Sequence, residues 1–302
     1  MDLWNHQRVE NGKGTTDIYP LFPGVELAVL DFRAERFIPK PRETKDIMEI
    51  NFCLEGRAEC KMKDGCVQFI GEGDIFLNTL YNHSKSIEMP LGFYRGITII
   101  IDLLDNSIKE SGELLGISLD IRELAKGFFE KDECFFIQAK ENLRTLFSGA
   151  GFIPGSGKEA YYRLKVLELL LYLNYFEPRE EVQKKIYTRQ QIDTVKQIQK
   201  QMTRNVRSRY TIEDLSKEHC ISPTALKTHF KAVYGKSIAS YMKEYRIKTA
   251  EDLLRNTNKS ISDIALLVGY ESQSKFGAAF KERFKTTPLE YRKYMQQMGK
   301  PS

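Results

Sequence analysis

The sequence predicts an α+β protein: a strand-rich N-terminal barrel or jelly roll with flanking helices, followed by an all-α C-terminal domain. Three observations predict this class. Short apolar runs separated by Gly, Asp, Asn and Pro occupy residues 25–102. Helical spacing of apolar residues begins near residue 105. A stretch of the C-terminal third occurs twice. With 302 residues, the chain is long enough for two domains with separate cores.

The strand-rich segment contains the apolar runs VELAVLDFRAERFI, IMEINFCLEG, RAECKMK, CVQFI, DIFLN and GITIIID. Asp64-Gly65, between two of these runs, is the signal of a two-residue hairpin, which would pair Cys60 with Phe69. Many short strands at close spacing favour a barrel or a jelly roll.

Helical patterns follow in NSIKESGELLGI, SLDIRELAKGFFE and FIQAKENLRTLFSG, and then in a longer helix over residues 158–176. The longer helix is predicted to end before Glu177-Pro178, because a residue that precedes proline disfavours helical angles. Its wide apolar face has two interpretations: it covers the barrel, or it packs against a second subunit. Charged residues 179–188 are predicted to be a linker between domains.

Charge is distributed unevenly along the chain. Residues 188–302 contain 22 Lys and Arg against 11 Asp and Glu, a net +11, whereas the remainder has 24 against 30, a net −6. This pattern indicates a polyanionic partner for the C-terminal third. The sequence shows no apolar run of membrane-spanning length and no signal peptide, and its five cysteines are scattered. We therefore expect a cytoplasmic protein with reduced thiols and no membrane partner.

The repeated stretch is the most informative feature of the C-terminal third. Its copies are IEDLSKEHCISPTALKTHFKAVYGKSIASY, residues 212–241, and ISDIALLVGYESQSKFGAAFKERFKTTPLEY, residues 261–291. Matching residues are 49 apart up to Ile221 and Tyr270, and 50 apart from Ser222 and Ser272 onward. A repeat with one inserted residue indicates two copies of one supersecondary unit. Each copy has the layout of a helix-turn-helix.

Both copies are predicted to begin their first helix in the same way. Thr211 and Ser260 each precede a carboxylate by three residues, which is close to the capping-box pattern. Between the copies, residues 237–256 are predicted to form one helix of about 30 Å. Because one turn of B-DNA is about 34 Å long, such a helix can place two helix-turn-helix units in successive major grooves.

These residues resemble the DNA-binding domain of the arabinose-operon regulator (AraC/XylS) family of bacterial transcription factors. The resemblance covers about residues 190–294 and rests on both repeat copies and on EYRIKTAEDLLRNTNKS between them. The run IALLVGY, followed by FK and then TPLEYR, is its most diagnostic stretch. It implies a sequence-specific DNA-binding regulator with two helix-turn-helix units, at 212–233 and 261–284.

The sequence departs from the family pattern in three places. Lys285 stands where the second copy usually has glycine, which predicts a reshaped turn. His219-Cys220 replaces the more usual small, Gly-containing turn of the first copy. Gly277 and Ala278 occupy positions where the family often has longer polar side chains. We therefore expect the first unit to make most base contacts and the second to contact mainly the DNA backbone.

The second helix of a helix-turn-helix enters the major groove with its early outward residues at base edges. We expect Thr224, Lys227, Thr228, Gln273 and Lys275 at or near bases. A lysine–guanine or glutamine–adenine pairing contributes about 1–3 kcal/mol of discrimination. The full set of expected DNA-contacting residues is Ser222, Thr224, Lys227, Thr228 and Lys231 in the first unit, and Gln273, Ser274, Lys275 and Lys281 in the second. Lys231, Lys281 and Arg246 are assigned to phosphate contact or packing. The alternative for every one of them is a solvated helix surface.

In the family, an N-terminal cupin-like jelly roll binds a small effector and adjoining helices mediate dimerisation. The segment NFCLEGRAE…GEGDIFLN is similar to siderophore-responsive regulators of the pyochelin type. The resemblance thus implies a small-molecule effector, which could be siderophore-like. Polar groups near the predicted strand ends are the candidate effector contacts: Glu49, Asn51, Tyr81 and His83.

An enzyme is not expected. Cupin enzymes need two or three histidines and a carboxylate on the barrel wall, and only His83 of the four histidines is available there. No nucleophile elbow, phosphate-binding loop or dinucleotide fingerprint is present in the sequence. We therefore predict no catalytic residue, no metal and no cofactor.

The sequence thus predicts three segments: a cupin-like effector-binding and dimerisation domain at 1–178, a linker at 179–188, and an AraC-type DNA-binding domain at 189–302. The predicted function is effector-gated transcription control by a homodimer. Its expected partners are double-stranded DNA, a small effector and RNA polymerase. The alternative is a constitutive DNA-binding regulator whose N-terminal domain only dimerises or recruits a protein partner.

Overall fold

The chain divides into two compact units, Met1–Tyr187 and Thr188–Ser302. The computed structural model describes residues 8–39, 46–62, 67–79, 84–105, 116, 119–129, 134–138, 141–176 and 187–298. The predicted linker lies outside these ranges except for Tyr187 and Thr188.

Within its described residues, the first unit contains ten antiparallel strands. They are β1 (Arg8–Glu10), β2 (Lys13–Phe22), β3 (Val25–Arg33), β4 (Arg36–Ile38), β5 (Ile47–Met62), β6 (Val67–Gly71), β7 (Ile75–Thr79), β8 (Ser84–Glu88), β9 (Tyr94–Asp102) and β10 (Cys134–Ile137).

Strand β5 belongs to two sheets. Its first half pairs with β7 and β9, in a sheet that β3, β2 and β10 extend. Its second half pairs with β6 and β8, and β4 and β1 follow on β8. A bulge between Cys53 and Glu55 and a left-handed Gly56 (φ 89°) turn the strand between the sheets. The result is a nearly closed antiparallel barrel, which confirms the predicted fold class.

Side chains alternate between the two faces of the first sheet. One face points into the barrel, where Leu30, Phe76 and Tyr94 belong to an interior cluster. The opposite face carries Ile50, Leu77 and neighbouring aliphatic residues, which pack under helices. Both faces of this sheet are therefore covered, which explains why all of β7 and most of β9 are buried.

The helices that cover this sheet are α1 (Ile121–Phe129), α2 (Glu141–Arg144) and α3 (Lys158–Asn174), with 3-10 turns at Ser148–Phe152 and Gly155–Gly157. Val166, Leu169, Leu170 and Leu173 of α3 are buried in the same apolar cluster as the sheet. The predicted apolar face of α3 therefore covers the barrel, whereas Leu164 remains 64% exposed.

Two local predictions were wrong. The start of the FIQAKENLRTLFSG pattern belongs to β10, because Phe136 and Ile137 pair with β7 instead of beginning a helix. The hairpin register also differs by one residue: Cys60 pairs with Gln68, not Phe69. Met62, at the end of β5, lies opposite Ser84 of β8.

The second unit is all helical. Its helices are α4 (Arg189–Arg204), α5 (Ile212–Glu218), α6 (Pro223–Tyr234), α7 (Ile238–Asn256), α8 (Ile261–Leu267), α9 (Gln273–Phe284) and α10 (Pro288–Met298). The predicted connecting helix is confirmed as α7, with Ser237 as its N-cap. No helix within the described ranges is long and apolar enough to cross a membrane.

Candidate functional site

The two helix-turn-helix units, α5–α6 and α8–α9, share one turn geometry. In the first turn, the Ile221 N–H donates to the Ser216 carbonyl at 3.0 Å, and in the second the Tyr270 N–H donates to the Ala265 carbonyl at 2.9 Å. Each turn needs a left-handed residue, Cys220 (φ 51°) in one and glycine in the other. The replacement of the usual Gly-containing turn by His219-Cys220 therefore leaves the backbone unchanged.

The C-terminal ends of α6 and α9 also match. Gly235 (φ 77°) ends the first, and Lys285 (φ 60°) ends the second. Each donates its N–H at 2.8 Å to the carbonyl four residues earlier. The prediction of a reshaped turn at Lys285 was wrong, because the lysine adopts the left-handed conformation that glycine adopts in the first copy.

The N-terminal caps follow the predicted pattern with one change. The Thr211 hydroxyl accepts from the Asp214 N–H at 3.0 Å, and the Ser260 hydroxyl accepts from the Asp263 N–H at 3.0 Å. Each hydroxyl in turn donates to the aspartate carboxylate. An aspartate side chain is one methylene shorter than glutamate, so here it reaches the cap hydroxyl. Thr188, by contrast, makes a complete capping box with Gln191 at the start of α4.

Each helix-turn-helix unit is held together by an equivalent aromatic cluster. Phe230 lies 4.6 Å from Tyr234 and 5.5 Å from Tyr241 between ring centroids. In the second unit, Phe280 lies 4.6 Å from Phe284 and 5.4 Å from Tyr291. The buried faces of α6 and α9 are therefore fixed, and this determines which of their residues point to solvent.

Arg246 of the connecting helix α7 helps to hold the two helix-turn-helix units against each other. Its guanidinium donates to the carbonyl of Val206 at 3.2 Å and to that of Ser208 at 3.1 Å, in the loop before α5. Gly269, in the turn of the second unit, packs on the same loop, since a Cβ there would lie 2.9 Å from the Val206 oxygen. Burial lowers the pKa of Arg246. Of its predicted roles, packing is therefore the one that this geometry supports.

Every residue predicted to contact DNA lies on the exposed side of its unit. The exposed set comprises Ser222, Thr224, Lys227, Thr228 and Lys231 around α6, and Gln273, Ser274, Lys275 and Lys281 on α9. The Ser222 hydroxyl accepts from the Ala225 N–H at 3.2 Å, so it serves as the N-cap of α6. The two helices thus present two short rows of hydroxyl, amide and ammonium groups.

The two rows differ in charge pairing. Lys227 and Lys231 make no ion pair within the described part of the chain. Lys275 instead pairs with Glu271 at 2.9 Å, and Glu282 on the same helix pairs with Lys243 at 2.7 Å. The ammonium groups of α6 are therefore free to meet an anion, whereas part of the charge on α9 is neutralised.

The exposed surface of α9 also protrudes less than that of α6, because Gly277 and Ala278 have small side chains. A Cβ at Gly277 would have nothing within 4 Å, so packing does not require glycine there. Ala278 beside it is exposed. A smooth strip of helix surface results, on which a polyanion backbone can approach closely.

A second polar cluster lies inside the barrel. The Thr98 hydroxyl donates to Asn51 Oδ1 at 2.8 Å, and Asn78 Nδ2 donates to Glu49 Oε2 at 3.0 Å. Asn51 and Asn78 are 3.5 Å apart through their amides. Glu49 and Asn51 are half-buried, whereas Asn78 and Thr98 are buried. Two of the predicted effector contacts are therefore brought together, while Tyr81 and His83 lie outside the described residues.

The sequence interpretation missed Asn78 and Thr98. Each is a polar residue inside an otherwise apolar buried strand, β7 or β9. Buried polar groups need hydrogen-bond partners, so this exception in the pattern was the available signal.

Two thiols of the barrel, those of Cys53 and Cys60, are buried. Burial raises the pKa of Cys60 to about 12 and raises that of Cys53 as well, so both remain protonated at neutral pH. Among the described residues, no cluster of three or more His, Cys, Asp or Glu side chains could hold a metal ion.

The second compact unit of the chain, which begins at Thr188, is thus a double helix-turn-helix domain of the kind that binds duplex DNA. Residues 215–294 match the family model described as a helix-turn-helix domain. The transcriptional regulator ExsA of Pseudomonas aeruginosa is 34% identical over 125 residues, which cover 41% of this chain and 45% of ExsA. A putative AraC-like regulator of Streptomyces lividans is 35% identical over 85 residues, 28% of each chain. An AraC-type DNA-binding domain structure from Chromobacterium violaceum is 28% identical, covering 35% of this chain and 96% of that one, with a TM-score of 0.33.

The chain therefore contains a helix-turn-helix domain, as its repeat predicted, and this part of the chain is similar to regulators that include an AraC-like one. The matched segments span less than half the length of these curated relatives. Both relatives are regulators of transcription by name.

Proposed function

We propose that this protein is a sequence-specific DNA-binding transcription regulator, gated by a small molecule that binds in the N-terminal barrel. The observation that carries the DNA-binding part is the duplicated helix-turn-helix with its exposed α6 and α9. The 19 residues of α7 span about 29 Å, close to one turn of B-DNA. The net charge of +11 in residues 188–302 favours a polyanion.

In this proposal, Thr224, Lys227 and Thr228 contact base edges, while Lys231 and Lys281 contact phosphates. Gln273 and Lys275 are the candidates for base contact from α9. The first helix-turn-helix contributes most of the discrimination between DNA sequences. Its Lys227 and Lys231 make no ion pair among the described residues, whereas Lys275 of α9 does, and Gly277 leaves α9 without a projecting side chain at that position.

The barrel cluster supports the effector part of the proposal. Glu49 and Asn51 are half-buried on the inward face of β5, and a few convergent polar groups among apolar side chains are typical of small-molecule binding. Binding there would shift the population between arrangements that present the DNA-binding units differently. Dimerisation and contact with RNA polymerase complete the proposed mechanism.

The test has two arms. In the first, the full chain selects its site from random duplexes, and footprinting should then protect about two helical turns per subunit with affinity that falls steeply with salt. Protection of a single turn, or binding that ignores salt, contradicts the DNA-binding proposal.

In the second arm, thermal unfolding of the full chain is followed with candidate metabolites. The proposal expects stabilisation that Asn51→Ala abolishes. The constitutive regulator is the alternative, and the exposed Leu164 on α3 is a candidate for the dimer contact that both functions require. It expects no stabilisation by any metabolite together with a Leu164→Lys variant that no longer dimerises.

A further inference from the structure

Three charged side chains form an ion cluster at the start of α9. Glu271 Oε1 lies 2.9 Å from the Arg209 guanidinium, and Glu271 Oε2 lies 2.9 Å from Lys275 Nζ. All three side chains are more than half exposed. Lys275 and Arg209 together lower the pKa of Glu271, so the carboxylate stays ionised at neutral pH. The cluster therefore presents one net positive charge where its two cations alone would present two.

Glu271 has no counterpart in the first helix-turn-helix. The repeat is offset by 49 residues up to Tyr270 and by 50 from Ser272, and the duplicated turn hydrogen bonds place Tyr270 opposite Ile221. Glu271 is consequently the one residue that the second turn has in addition. It stands directly before the N-cap of α9. The insertion therefore puts a carboxylate at the N-terminal end of α9, the helix proposed to enter the major groove.

The ion cluster joins parts of the chain that are distant in sequence. Arg209 belongs to the loop before the first helix-turn-helix, and Lys275 is in the first turn of α9. Arg246 anchors the same loop to α7 by its two hydrogen bonds. The Arg209 side chain is therefore presented to the second unit, and Glu271 restrains one cation from each side.

We propose that Glu271 is a specificity-determining residue that suppresses non-specific DNA binding by the second unit. This inference rests on the proposed DNA-binding function. An exposed ion pair contributes only about 0–1 kcal/mol, so a correctly placed base or phosphate can displace it. On random DNA, no such compensation is available, and the carboxylate both occupies the two cations and repels phosphate. Discrimination then arises from a repulsive element as well as from attractive contacts.

The test compares Glu271→Gln with wild type by fluorescence anisotropy, using the full chain, a random-sequence duplex and the selected site, from 50 to 200 mM salt. Glu271→Gln releases Arg209 and Lys275 from their ion pairs, which should tighten non-specific binding about 3- to 10-fold at the lowest salt. The slope of log affinity against log salt concentration should steepen by up to about 1.8, since each phosphate contact adds about 0.9. Affinity for the selected site should change less than about twofold, because those contacts already exchange the ion pairs.

Glu282→Gln is the matched control. Glu282 lies on the same helix, is exposed, and pairs with Lys243 alone, so its neutralisation makes the same change in net charge. The proposal expects the control to change non-specific affinity by less than half as much as Glu271→Gln. Equal effects of the two variants would mean that net charge alone acts, and would overturn the proposal. Weaker binding of Glu271→Gln to the selected site would also overturn it, since Glu271 would then contact a base directly.

The two proposals fail differently. A wild-type chain without salt-dependent duplex binding refutes the proposed function and this inference with it. A wild-type chain that binds normally, with an unchanged salt slope in Glu271→Gln, refutes the inference alone. Identical far-UV circular dichroism spectra establish that the variants are folded.

Discussion

Replacement of Lys285 by glycine should stabilise the DNA-binding unit. Lys285 ends α9 with φ 60° and ψ 11°, in the left-handed region, whereas the matching position of the first copy is Gly235 with φ 77°. A residue with a Cβ is strained there by about 1–2 kcal/mol. Glycine removes that strain but loses about 0.5 kcal/mol or more through the entropy of the unfolded chain. The net expectation for Lys285→Gly is a gain of about 1 kcal/mol in the free energy of unfolding.

Amide hydrogen exchange of the full chain, read by mass spectrometry on peptides from α9, measures this gain locally. Amides that exchange only through unfolding of the unit should slow about fivefold for 1 kcal/mol. Lys285→Ala is the control, since it removes the lysine but keeps the strain, and it should bring no gain. Gly235→Ala should lose about 1 kcal/mol. Exchange rates that are equal in Lys285→Gly and wild type would refute the reasoning.

Three further results are expected. In competition against non-specific DNA, Lys227→Ala should lose about 5- to 100-fold in discrimination and Lys275→Ala less than about threefold, because Lys275 pairs with Glu271 whereas Lys227 makes no ion pair among the described residues; equal losses would contradict the asymmetry. Gly277→Ala should raise the free energy of unfolding by about 0.5–1 kcal/mol, since nothing lies within 4 Å of its Cβ, and a loss in urea titration would show an unseen contact. Arg246→Met should lower it by about 1–3 kcal/mol, because two main-chain carbonyls lose their donor; an unchanged urea midpoint would exclude that role.

Much of the C-terminal unit could be predicted from sequence, because its signals are local. The helix from 237 to 256, the caps at Thr211 and Ser260, and the inward aromatic residues all follow from contacts within four residues along the chain. The barrel was harder to predict. Strand β2 has a mostly exposed pattern, so no apolar alternation marked it. Phe136 and Ile137 of β10 were assigned to a helix because short apolar runs suit either structure.

The sequence by itself determined the duplicated helix-turn-helix and its charge, since repetition, caps and periodicity depend on neighbouring residues. Only the tertiary structure decided which distant residues meet. Asn78 and Thr98 join Glu49 and Asn51 because three strands pair in one register, and a shift of one residue would separate them. Glu271 contacts Arg209, 62 positions away in the sequence, because Arg246 and the close-packed Gly269 hold the loop before α5 against the turn before α9.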